Sequence, residues 1–116
     1  MQINITGHHI EITDGIHDAI HQKMEKLAKH FPDAALIHVT ATVEKHQQIA
    51  EATTHFLGKD ITAKASSDDF YKSLADMTSK LTASMQRQKE QVKAHPHVKP
   101  NTEVDVDIDE AMLEED

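Results

Sequence analysis

Histidine is the residue type whose abundance first asks for a chemical explanation, with ten in 116 residues. His17 and His21 stand four apart, which on a helix puts both imidazoles on one flank, within reach of a single metal ion, with Asp14 and Asp18 nearby. Two ligands fall short of the three or four that a structural or catalytic zinc takes, and no second pair is spaced to complete the set. Exposed, solubilising histidines are the simpler reading of this pair, and of His8, His9, His95 and His97. There is no cysteine, which removes disulfides, cysteine-based zinc sites and a thiol nucleophile. No GxSxG, Walker A, GxGxxG or HExxH segment occurs, and the five serines fall in cap or helix contexts. The carboxylates are spread over polar faces, whereas acid–base catalysis needs them in a cleft that shifts their pKa values. The expectation is a protein with no enzymatic activity and no cofactor.

The basic residues are more informative. Residues 77–95 hold Lys80, Arg87, Lys89 and Lys93 against a single acid, Glu90. At about 100° per residue, Lys80 and Arg87 lie roughly 20° apart on one flank of a helix, and Lys89 and Lys93 lie on the other. Lys23, Lys26 and His30 form a second basic edge on an earlier helix. Cations near a helix C-terminus complement its dipole, so a solvated helix end and a phosphate-binding surface account equally well for the pattern alone. Aromatics make up only 3% of the chain and none is interleaved with these cations. Contacts to RNA would therefore rest on shape and phosphates rather than on base stacking.

Periodicity supplies the elements that must position these groups. Residues 2–7 alternate, with Ile3 and Ile5 on one face. Thr13-Asp14 offers N-cap chemistry ahead of Ile16, Ile20, Met24, Leu27 and Phe31, a helical stripe that ends before Pro32. Ile37, Val39, Ala41 and Val43 alternate with polar residues, as do residues 49–57 and then Ile61, Ala63 and Ala65, with a turn at Gly58-Lys59-Asp60. Ser66-Ser67-Asp68-Asp69 fits a capping box before a long helix with Phe70, Leu74, Met77, Leu81 and Met85 on one stripe. That stripe weakens at Gln88 and Val92, so the helix end projects beyond the core. The order β-α-β-β-β-α predicts an α+β fold: one four-stranded sheet with two helices on one face, the first helix crossing right-handed between parallel strands.

Charge divides the chain. Residues 1–95 carry eleven Lys and Arg against twelve acids, whereas residues 96–116 carry one lysine against eight acids, out of a formal net charge of −8. The expected organisation is a folded domain over 1–95 and a disordered acidic tail over 96–116, beginning where Pro96 and Pro100 interrupt helical geometry. No segment approaches a membrane span, and the first residues lack the basic start and apolar run of a secretion signal. A soluble, cytoplasmic protein with no membrane partner is expected.

Met1-Gln2-Ile3-Asn4-Ile5-Thr6-Gly7, Glu11-Ile12-Thr13, Lys26-Leu27, Val43-Glu44-Lys45, Gly58, Ala65-Ser66, Asp69-Phe70-Tyr71 and Lys80-Leu81 stand in one register over residues 1–95. Together they resemble the ribosome hibernation promoting factor family in its short bacterial form. The resemblance implies a domain like the double-stranded-RNA-binding fold. It further implies a protein, monomeric when free, that binds the small ribosomal subunit and its rRNA in the mRNA and tRNA channel and blocks initiation in resting cells. It assigns RNA contacts to Lys80, Arg87, Lys89 and Lys93, and to Lys23, Lys26 and Lys29. At Ser84 the sequence departs from the arginine usual in the family. The short form promotes inactive ribosome dimers, with ribosome modulation factor as an indirect partner. The acidic extension resembles instead the sister type, ribosome-associated inhibitor A, which silences single ribosomes and opposes pairing. Both readings stay open, as does a third from another class, a histidine-rich metal-binding module that shares the fold and not the function.

Overall fold

The structure is a computed structural model that describes residues 1–94; the acidic segment 96–116 expected to be disordered lies outside the described residues. The elements follow the expected order: β1 (Gln2–His8), α1 (Asp14–His30), β2 (Leu36–Glu44), β3 (Gln47–Phe56), β4 (Lys59–Ser67) and α2 (Phe70–Ala94). Spatial order in the sheet is β1-β2-β3-β4. β1 runs parallel to β2, as the α1 crossover requires, and the other two pairings are antiparallel hairpins. No helix among the described residues is long and apolar enough to cross a membrane.

One face of the sheet is buried, and its register explains how two helices fit on it. Cross-strand rows Ile37–Thr54–Ile61, Val39–Ala52–Ala63 and Ala41–Ala50–Ala65 run across β2, β3 and β4. The last two rows are almost entirely small side chains. The helices supply the bulk: Ile20, Met24 and Leu27 from α1, and Leu74, Met77, Leu81 and Met85 from α2, all buried. Large aliphatic residues above small ones fill the space between helices and sheet, with only a few aromatic rings in the core. Phe31 and Phe56 meet edge to face, with ring centroids 5.5 Å apart, at one end of this core.

Local chemistry sets the element ends. Thr13 caps α1 by accepting from the Ile16 amide at 3.2 Å, and the helix closes at Phe31, the residue before Pro32, whose amide donates to the Leu27 carbonyl at 3.0 Å. The start of α2 departs from the expected capping box. Ser66 and Ser67 finish β4, and Asp69 is the cap, its Oδ1 accepting from the Tyr71 amide at 3.0 Å. Ser67 Oγ instead accepts from the Asp69 amide at 3.1 Å and lies 2.8 Å from the Oγ of fully buried Ser73, which donates to the Gln48 carbonyl at 2.6 Å. The hairpin turn also sits one residue earlier than expected. It is Leu57-Gly58, with φ of 51° and 83°, and Phe56 pairs with Lys59. Two positive φ values mark a type I′ turn, the twist that suits a two-residue hairpin.

Leu57 in a left-handed conformation costs about 1–2 kcal/mol. Two features hold it there: its side chain packs against the core, and Gln88 Nε2 on α2 donates to its carbonyl at 2.8 Å. Beyond Gln88 the helix leaves the core, as its fading stripe predicts, and Val92 is 41% exposed.

Candidate nucleic-acid interface

The direction of the helices decides where charge collects. A Cβ placed on Gly15 would come within 3.2 Å of Tyr71 Oη, so the first turns of α1 and α2 are neighbours and the helices run the same way. Ser67 pairs with Gln48 and Glu44 with Gln47, which brings the β2–β3 loop to that same end. That end holds Asp14, Asp18, Glu44, Asp68 and Asp69, with Lys45 and Lys72. The opposite end holds the helix C-termini and the β3–β4 turn. Lys26, Lys29, Lys59, Arg87, Lys89 and Lys93 gather there, with Asp33, Asp60 and Glu90 as the counterweight among the described residues.

α2 is a ridge with cations on both flanks. On the β4 side, Lys80 Nζ donates to the Lys64 carbonyl at 3.1 Å, and Arg87 shares a cleft with Lys59, Asp60 and Gln91. On the α1 side, Lys23 faces Ala75, Thr78, Thr82 and Gln86 across a shallow groove. Lys89 and Lys93 continue that flank toward the helix end. Lys26 lies toward the same side of α1, whereas Lys29 stands opposite its buried stripe and points away from α2. The structure thus brings together six of the seven expected cations as two sets along α2. It adds Lys59 and Lys64, which sequence reasoning missed. Their sequence signal is slight: Lys59 opens β4 and Lys64 is one of its exposed alternating positions, which acquires meaning once β4 is known to lie beside α2.

These cations are not neutralised by their neighbours. Among the described residues the ion pairs are His17 with Asp18 at 3.6 Å, His21 with Glu25 at 3.9 Å and His55 with Asp60 at 2.7 Å. None involves a lysine or an arginine. Glu90, the acid nearest the basic helix end in sequence, accepts instead from Gln86 at 3.1 Å. Exposed cations without local partners keep their full charge for an external polyanion. The His17 and His21 rings stack, with centroids 4.3 Å apart and planes 29° from parallel, and no group of three or more potential ligands forms among the described residues.

A mixed four-stranded sheet under two parallel helices is shared with a known group of proteins. Residues 3–93 fit the profile of the Sigma 54 modulation protein / S30EA ribosomal protein family. The chain belongs to this family. Among S30EA relatives, it is 36% identical over 95 residues to the ribosome hibernation promoting factor of Salmonella typhimurium, covering 82% of this chain and 100% of that one. The factor of the same name from Azotobacter vinelandii is also 36% identical, over 90 residues, which is 78% of this chain and 84% of the relative. A ribosomal subunit interface protein from Coxiella burnetii superposes with a TM-score of 0.68 at 26% identity, covering 78% of this chain and 99% of the other. The N-terminal domain of Thermus thermophilus Protein Y shares the fold, with a TM-score of 0.69 at 22% identity over 76% of this chain and 99% of that domain.

Proposed function

We propose that this S30EA protein is a cytoplasmic ribosome hibernation factor that binds the rRNA of the small subunit in the mRNA and tRNA channel and blocks initiation in resting cells. The observation that carries the reading is the cationic flanks and end of α2: Lys80, Arg87, Lys89, Lys93, Lys23 and Lys26, joined by Lys59 and Lys64, have no carboxylate partner among the described residues. The names of the relatives, which refer to ribosome hibernation and the subunit interface, support the same reading.

The chemistry is displacement of condensed counterions. Each lysine or arginine that neutralises a phosphate releases cations from the RNA atmosphere, so affinity falls steeply as salt rises. A rigid two-helix ridge presents these charges at fixed spacing, which favours folded RNA of matching shape over a flexible strand. No bond is made or broken. The protein acts by occupying space that mRNA and tRNA require.

Sedimentation of a cell extract through sucrose at two salt concentrations tests this. The protein should travel with small subunits at low salt and be released at high salt. Protein left at the top of the gradient at low salt would refute the reading.

The short-form activity, promotion of inactive dimers together with ribosome modulation factor, is the first subtype we propose. Eight acids in residues 96–116 favour the second, ribosome-associated inhibitor A type. Dimer yield from purified ribosomes and modulation factor separates them: added protein raises it in the first case and lowers it in the second.

A further inference from the structure

The groove between the helices has a composition that binding to phosphate alone does not explain. It is lined by Ala75, Thr78, Ser79, Thr82, Ala83 and Gln86 of α2, with Lys23 on the α1 rim. Thr78 Oγ1 donates to the Leu74 carbonyl at 2.7 Å, and Thr82 Oγ1 to the Thr78 carbonyl at 2.8 Å. Both hydroxyls are turned back onto the helix and spent there, so Ala75, Thr78, Thr82 and Ala83 offer methyl groups between the polar Ser79 and Gln86. Lys89 and Lys93 extend the cationic rim toward the end of α2. Such a groove suits an extended chain that alternates small apolar residues with carboxylates.

This protein contains one. Glu103-Val104-Asp105-Val106-Asp107-Ile108-Asp109 alternates strictly, with Val104, Val106 and Ile108 on one side and the acids on the other. We infer that this segment docks in the α1–α2 groove of its own chain, apolar side chains on the alanine and threonine floor and carboxylates toward Lys23 and Lys89. Reach permits it. The stretch from Ala94 to Glu103 spans up to about 30 Å, while the helix from Ala94 back to Gln86 is about 12 Å long. Residues 103–109, roughly 20 Å when extended, then run antiparallel to α2 past Gln86 to Ala75. Covalent tethering keeps the segment at high effective concentration, which lets individually weak contacts hold it. The consequence, competition with RNA for Lys23 and Lys89, rests on the proposed function. The docking itself does not.

The test compares amide shifts of the ¹⁵N-labelled full chain with those of a full-length D105N/D107N/D109N variant at low and high salt. Outside the substituted segment itself, the expected result is a set of differences confined to Lys23 and residues 75–89, present at low salt, absent at high salt and unchanged on dilution. A V104S/V106S/I108S variant, which keeps every charge, should show part of the same change. Identical groove shifts in all three proteins at low salt would overturn the inference. So would differences that grow with protein concentration, which would make a second copy the occupant, or differences confined to Lys59, Lys64 and Arg87 on the other flank. In parallel, the triple Asn variant should bind isolated small subunits about three- to tenfold more tightly at low salt. Equal affinities alongside altered groove shifts would leave the docking intact and remove this flank from the RNA interface.

Discussion

Gly7 and Gln88 each hold a backbone in a place it would not otherwise keep. A Cβ on Gly7 would fall 2.8 Å from the Ile10 carbonyl oxygen and 3.0 Å from the Ile12 side chain, so the chain after β1 can fold back only over a residue without one. Gly7→Ala must push a backbone carbonyl aside, at an expected cost of about 1–3 kcal/mol in urea unfolding. A variant of unchanged stability would show that the loop yields freely. Gln88 satisfies the carbonyl of left-handed Leu57, and Gln88→Ala should cost about 1 kcal/mol by the same measurement. In the sequence Gln88 is legible only as a gap in an apolar stripe. Its partner lies 31 residues away, and nothing local announces a hydrogen bond of that span. Ser73 is hidden for the same reason: fully buried, it ties α2 to Gln48 on β3. At His17 and His21, stacked rings without a third ligand predict that micromolar Zn²⁺ leaves the melting temperature unchanged. A rise would instead support the metal-binding reading.

At the scale of elements the sequence reads well wherever period and burial agree. All six elements follow from alternation or from stripes of three and four, because each buries one face against a single core. The errors fall at the joints. The hairpin turn sits at Leu57-Gly58 because a type I′ loop takes Gly58 at its second position, which turns Lys59 into a strand residue. The cap of α2 is Asp69 alone, because β4 extends through Ser67 to reach its partner Gln48. The candidate site was half legible. The cations of α2 are visible as a cluster, whereas Lys59 and Lys64 join it only because β4 packs beside α2. A Lys59→Gln, Lys64→Gln double variant should therefore weaken binding to small subunits about as much as Lys80→Gln, Arg87→Gln, with far-UV circular dichroism unchanged. An effect on affinity from the second pair alone would confine the interface to the helix.

The whole molecule is bipolar, acidic where the helices begin and cationic where they end. A domain with almost balanced charge over residues 1–95 can nevertheless bind a polyanion if cations collect at one end and along α2, and among the described residues these have no carboxylate partner. Net charge alone would predict repulsion from RNA; the distribution predicts attraction that salt removes. The most direct test is the slope of log K against log salt for purified small subunits. It should be measured for the wild type, for a variant with Lys80, Arg87, Lys89 and Lys93 all replaced by Gln, and for a control with Lys45→Gln and Lys72→Gln at the opposite end. The slope should be shallower by roughly three in the fourfold variant, at about 0.7–0.9 for each phosphate no longer neutralised, and unchanged in the control. Equal slopes in wild type and fourfold variant, or a slope flattened by the control instead, would contradict this prediction.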